Sequence, residues 1–178
     1  GNKAPSIQRL PVSDKLQNIA ESFGELAENK KLNYRLNIET GIEWNTDISC
    51  FNKIANNLIS NAFKYTPEKG NITIGLKIEN QQLILRVSNS GKGIAKENLN
   101  KVFDRYKILD SVELNGKNSR NGLGLAICKS MVTLLNGEIT IESIPNEITT
   151  FTVTLPELSP TEQEKPQEVY QTGQLKIS

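Results

Sequence analysis

Apolar residues recur at helical spacing over three stretches of this chain and alternate with polar ones over five others. Leu16, Ile19, Ala20, Phe23, Leu26 and Ala27 form one apolar stripe, which predicts a core-facing helix running from its cap, Ser13, to about Asn29. Ile48, Phe51, Ile54, Ala55, Leu58, Ile59 and Ala62 form a second stripe, predicting a helix over Asp47 to Tyr65. A third helix is expected over Leu123 to Leu135, with Leu125, Ala126, Cys128, Met131, Val132 and Leu135 available for burial. Alternation over Leu32–Ile38, Asn71–Ile78, Gln82–Ser88, Glu138–Ser143 and Thr149–Leu155 predicts strands, the last four as two hairpins. Lys96–Phe103 reads as a short helical turn, and the polar stretch Asp110–Arg120 as a lid or a disordered loop.

The polar side of the second helix carries the first chemical signal. Asn57, Asn61 and Lys64 fall at i, i+4 and i+7, with Tyr65 beside them, so two amides, an ammonium and an aromatic share one ridge. Asparagine is a mediocre helix former, and two of them one turn apart fit a metal-bound phosphate as well as they fit a solvated helix face. Two glycine-bearing segments follow, Asn89-Ser90-Gly91-Lys92-Gly93-Ile94 after a strand and Asn121-Gly122-Leu123-Gly124-Leu125 at the opening of a helix. A glycine pair lets backbone approach a ligand, and a helix entry offers free N–H groups to an anion.

Composition narrows the chemistry. The 178 residues carry 21 basic and 20 acidic side chains, a net charge of +1, so bulk charge draws the chain to neither nucleic acid nor membrane. Histidine is absent, which excludes a Ser-His-Asp or Cys-His nucleophile and any histidine base supplied by this chain. Cys50 and Cys128 lie in apolar runs and read as reduced core residues. No run approaches the ~20 apolar residues of a membrane span. Residues 1–12, with Pro5 and Pro11, read as an extended lead-in; residues 13–156 as the folded domain; residues 157–178, rich in Glu, Gln and Pro, as a linker or disordered tail. Gly1-Asn2 in place of an initiator methionine reads as a cloning or processing remnant, and the expectation is a piece of a longer protein.

Four segments, taken in order, carry a resemblance. Asn57-Leu58-Ile59-Ser60-Asn61-Ala62-Phe63-Lys64-Tyr65-Thr66, the Gly91/Gly93 loop, Val102-Phe103-Asp104-Arg105-Tyr106 and Gly122-Leu123-Gly124-Leu125 resemble the N, G1, F and G2 boxes of the sensor histidine kinase catalytic and ATP-binding domain, over roughly residues 7–156. The resemblance implies an α+β two-layer sandwich, a mixed sheet with about three helices on one face and a mobile ATP lid. It puts Asn61 on Mg²⁺, Asn57 on the metal or the γ-phosphate, Lys64 on the phosphates and Tyr65 against adenine. Gly91 and Gly93 would let backbone approach the nucleotide and Ile94 would cover the base. Arg105 and Lys107 would meet phosphate as the lid closes. Gly122, Leu123, Gly124 and Leu125 would hold phosphate through backbone N–H groups, and Thr149 would lie near adenine, although β propensity alone accounts for it equally well.

Two positions depart from the family pattern. Asn89 stands where an aspartate usually accepts the adenine amino group; a neutral acceptor costs on the order of 1 kcal/mol, near fivefold in affinity. Arg120 replaces the first glycine of the last box. The resemblance further implies a cytoplasmic, ATP- and Mg²⁺-dependent protein histidine kinase fragment within a membrane-anchored sensor. The phosphate acceptor would be a histidine on an upstream dimerisation domain, and the downstream partner a response regulator or receiver domain; the Asn-Ser-Gly-Lys-Gly loop resembles that of hybrid sensors. No nucleic acid and no direct membrane contact are expected. Two rivals stay open at the level of sequence: an anti-sigma serine kinase, and a degenerate nucleotide-sensing or docking module without transfer activity.

Overall fold

A computed structural model of the chain describes residues 4–103 and 119–162, with side chains throughout except over 119–123. Five strands, β2 (Asn33–Ile38), β4 (Asn71–Glu79), β5 (Gln82–Ser90), β6 (Glu138–Ile144) and β7 (Ile148–Pro156), form a sheet of order β2-β4-β5-β7-β6. Only β2 and β4 run parallel, so the sheet is mixed, as expected. Helices α1 (Val12–Glu21), α2 (Gly24–Asn29), α3 (Ile48–Tyr65) and α4 (Ser119–Leu134) and a 3₁₀ turn at Lys96–Lys101 complete the described elements together with β1 (Gln8–Leu10) and β3 (Trp44–Thr46).

Period-2 alternation places one row of each strand against the helices. Leu76, Leu85, Val153 and Ile139 form one cross-strand row, and Ile74, Val87, Phe151 and Ile141 the next. All but Ile141 are buried, and they meet Phe51, Ile54, Leu58 and Ile59 of α3 in a single core. Phe51 is fully buried, so Phe51→Ala would cost about 3–5 kcal/mol. The row at the sheet's end is different: Ile72, Asn89, Thr149 and Ser143, three of the four polar.

Helix α3 is held at both ends. Asp47 caps it, Oδ1 accepting from the Cys50 N–H at 2.9 Å, which satisfies one of the free amides of the first turn. At the other end the Lys30 ammonium donates to the carbonyls of Phe63 and Thr66 at 2.6 and 2.7 Å, a cation on the negative end of the helix.

The first predicted helix is divided. The apolar period runs unbroken to Ala27, but the chain tightens at Ser22 and Phe23, where Phe23 N–H donates to Ala20 O. Phe23 then stacks on Phe63 with ring centroids 5.2 Å apart. Ser13 is not the cap: Pro11 is, and the Ser13 hydroxyl instead donates to Glu39 O and accepts from Ile42 N–H. The extended lead-in contains β1, paired antiparallel with β3. Residues 157–161, read from sequence as tail, bond to β3 and to the residue just before β1: Leu158 N–H donates to Asn45 O and Thr161 N–H to Ile7 O. Residues 163–178 lie outside the described residues.

Candidate functional site

Between the end of α3, the tip of the β6–β7 hairpin and the segment after β5 lies a cavity of about 550 Å³. Asn61, Lys64 and Tyr65 line one wall; Asn89, Thr149 and Phe151 line the floor; Gly93, Ile94 and Leu125 contribute to the remainder. The helical ridge and the polar row of the sheet therefore face one space.

On the α3 wall, Asn61 Oδ1 is buried and has no hydrogen-bond partner among the described residues. A buried acceptor left so costs about 1–3 kcal/mol. A hard amide oxygen of this kind is a fitting ligand for Mg²⁺, which needs only one or two protein oxygens when a phosphate supplies others. Lys64 Nζ lies 5.2 Å from the centroid of the Tyr65 ring. Asn57, one turn back, is half-buried and faces α4: a Cβ built at Gly124 would lie 3.4 Å from Asn57 Oδ1. Helix α4 begins at Ser119, so Gly122, Leu123, Gly124 and Leu125 sit inside its first two turns instead of opening it.

On the sheet side, Asn89 is buried and its Nδ2 donates to the Ser90 carbonyl at 3.0 Å. Thr149, also buried, shares a hydrogen bond of 2.8 Å with Ser143, and Ser143 Oγ accepts from the Ile94 N–H at 2.9 Å. Gly93 has φ +74°, and a Cβ there would meet Ser143 Oγ at 2.7 Å; Gly91 has φ +146°, and its Cβ would meet Tyr65 O at 2.9 Å. Both positions demand glycine, sterically and by backbone conformation.

Residues 46–159 match the family model described as histidine kinase-, DNA gyrase B-, and HSP90-like ATPase. The chain belongs to this family. Among curated relatives, it is 42% identical to the sensor histidine kinase WalK of Bacillus subtilis over 106 residues, 58% of this chain and 17% of that protein. It is 32% identical to the sensor protein SrrB of Staphylococcus aureus over 146 residues, 82% of this chain and 25% of that one. The chain thus spans a quarter or less of the curated relatives' length. Among solved structures, the nucleotide-free catalytic domain of histidine kinase ThkA superposes with TM-score 0.73 at 21% identity, over 85% of this chain and 95% of that one. Full-length ShkA in complex with AMPPNP gives 0.76 at 18%, over 90% and 33%.

Within this ATPase fold, the candidate residues Asn61, Lys64, Tyr65, Asn89, Gly93, Ile94, Leu125 and Thr149 line the cavity, with Asn57, Gly91 and Gly124 adjoining it. Arg105, Lys107 and the expected lid lie outside the described residues, as does the side chain of Arg120. Lys92, Ala95, Asn98 and Pro145 also line the cavity, and sequence reasoning missed them, as it missed Ser143. The strand alternation could have found Ser143, since it puts that residue on the same face as Thr149. Burial pushes the Cys128 thiol up to about 12; burial and then the Asp47 carboxylate push Cys50 up to about 11, so neither thiol is poised for chemistry. No helix among the described residues is long and apolar enough to cross a membrane.

Proposed function

We propose that this chain is the catalytic domain of a two-component sensor histidine kinase. It binds ATP in the cavity and presents the γ-phosphoryl group to a histidine on a separate dimerisation domain of the longer protein. One observation carries the reading: Asn61, whose Oδ1 is buried without a partner among the described residues, lines the same cavity whose floor is the polar row of Asn89 and Thr149. A wall that carries an amide oxygen and an ammonium and a floor that offers hydrogen bonds suit the phosphate and base ends of one nucleotide.

In this reading Asn61 and Asn57 hold Mg²⁺ and Lys64 places its charge on the phosphates. Tyr65 and Ile94 pack on the base, and Asn89 and Thr149 read its edge. The backbone of Gly91 and Gly93 and the first turns of α4 around Gly122–Leu125 approach the nucleotide, and Arg105 and Lys107 close over the phosphates. When bound, the metal neutralises charge on the phosphates. The chain's own residues orient the γ-phosphoryl and exclude water, which is most of what phosphoryl transfer asks of a protein. The bond from γ-phosphorus to the β-phosphate bridging oxygen breaks, a bond to the acceptor histidine nitrogen forms, and ADP leaves.

The domain proper would span residues 13–156, preceded by a lead-in from the dimerisation domain and followed by a linker. A response regulator or receiver domain would take the phosphoryl group onward on the cytoplasmic side of the membrane. The test is transfer in trans. Labelled ATP and Mg²⁺ should put acid-labile, alkali-stable phosphate on a supplied histidine-bearing helical domain of the same protein, and none on this chain alone. Phosphate retained on this chain, or failure of transfer although ATP binds, would overturn the assignment.

A further inference from the structure

Ser143 lies outside every contact assigned above, yet it joins two parts of the floor. Its Oγ accepts the Ile94 N–H at 2.9 Å and stands 2.8 Å from Thr149 Oγ1. The gap at Gly93, where a Cβ would fall 2.7 Å from the same oxygen, keeps this approach open. Ser143, Thr149 and Asn89 are register partners across β6, β7 and β5, so they form one polar line below the cavity, beyond the apolar rows of the core.

Either hydroxyl could be the donor in the Ser143–Thr149 contact, and counting donors within the line selects one direction. Ser143 has one proton and already receives one from Ile94. If Thr149 donated to Ser143, the Ser143 proton would find no acceptor in this line. If Ser143 donates to Thr149, each proton up to Thr149 is used, and the Thr149 hydroxyl proton is left for the occupant of the cavity. Asn89 next to it is oriented the opposite way. Its Nδ2 is committed to the Ser90 carbonyl at 3.0 Å; turning the amide over would set two acceptors face to face, so Oδ1 remains as an acceptor.

We propose that Ser143 is a positioning residue for base selection: it fixes Thr149 as a donor beside Asn89 as an acceptor. That pair is complementary to the edge of a 6-aminopurine, whose amino group donates and whose N1 accepts, and it opposes a 6-oxopurine, in which both senses are reversed. Selection then survives without a charged residue at position 89. The proposal rests on the nucleotide reading of the cavity.

The test compares ATP with inosine triphosphate, which keeps the sugar and phosphates and exchanges the amino edge for an oxo edge. Calorimetric titration of the whole chain with Mg²⁺ should give about 10-fold tighter binding of ATP than of inosine triphosphate. Ser143→Ala should bring the two affinities to within about twofold by weakening ATP alone, and Ser143→Thr, which keeps the hydroxyl, should restore the difference. A purely structural role would weaken both nucleotides together, and that result, or equal binding by the unaltered chain, overturns the proposal while leaving the nucleotide reading intact. If neither nucleotide binds the unaltered chain, the nucleotide reading and the proposal both fall.

Discussion

The two walls of the cavity solve opposite problems. On α3, Asn61 Oδ1 is buried without a partner among the described residues, while the helix that carries it is clamped by Asp47 at one end and Lys30 at the other. On the sheet side, Thr149, Ser143 and the Ile94 amide already bond to one another. The helix wall carries an acceptor still to be satisfied, which a cation or a donor can do; the sheet wall is preorganised before anything binds. Affinity should therefore depend most on the α3 wall, and base selection on the sheet wall.

The sharpest way to break this contrast is Asn61→Ala. It should lower Mg²⁺-dependent ATP affinity by about 100-fold or more. Because the lost oxygen had no partner among the described residues, thermal stability without nucleotide should fall by no more than ~1 kcal/mol. A large loss of stability in a melting experiment would mean the oxygen has an internal role.

Gly93→Ala attacks the other wall. The new methyl would enter the space of Ser143 Oγ at 2.7 Å and Pro145 Cα at 3.3 Å, at φ +74°. The chain should lose about 1–2 kcal/mol of stability and about 10-fold in ATP affinity, read by denaturant melts and titration. Unchanged values would show that the Gly93 loop is free of Ser143.

Asn89→Asp should act more mildly: a charged acceptor replaces a neutral one, but its second oxygen meets the Ser90 carbonyl where Nδ2 donated, so ATP should bind tighter by less than about fivefold. Abolished binding in the same titration would remove Asn89 from the floor.

The smallest effect is expected from thiol reagents. Cys50 and Cys128 are buried, with pKa values pushed up to about 11 and about 12, so at pH 8 both should stay unlabelled until the chain unfolds, and ATP binding should be untouched. Each thiol ionises near pH 9 in the unfolded chain and higher in the fold. Between about pH 9 and 12 the folded state thus holds more protons, and stability, full below pH 9, falls as pH rises. Rising stability over that range would contradict the burial.

How much of this was legible in sequence depended on element length. Helix α3, with 18 residues and five turns of apolar repeat, and the β4–β5 hairpin announced themselves, and with them the ridge of Asn57, Asn61, Lys64 and Tyr65. The division between α1 and α2 did not, because the apolar period continues through Ser22 and Phe23 and only the stacking of Phe23 on Phe63 reveals the turn. Strands β1 and β3 have three residues each, too few for alternation to register, and their partner segment at 157–161 is polar. Asn89 and Thr149 were legible as candidates because a family pattern singles them out. Ser143 was legible only as a residue on the face of Thr149, since its importance lies in a hydrogen bond across 49 residues of chain to Ile94.

The central claim is that one cavity takes a nucleotide whose metal completes the α3 wall. Calorimetric titration of the chain with ATP, in Mg²⁺ and again in EDTA, tests it most directly. The account predicts one site per chain with Mg²⁺ and a loss of affinity of at least about tenfold without it. Equal binding in both conditions, or no binding in either, would contradict it.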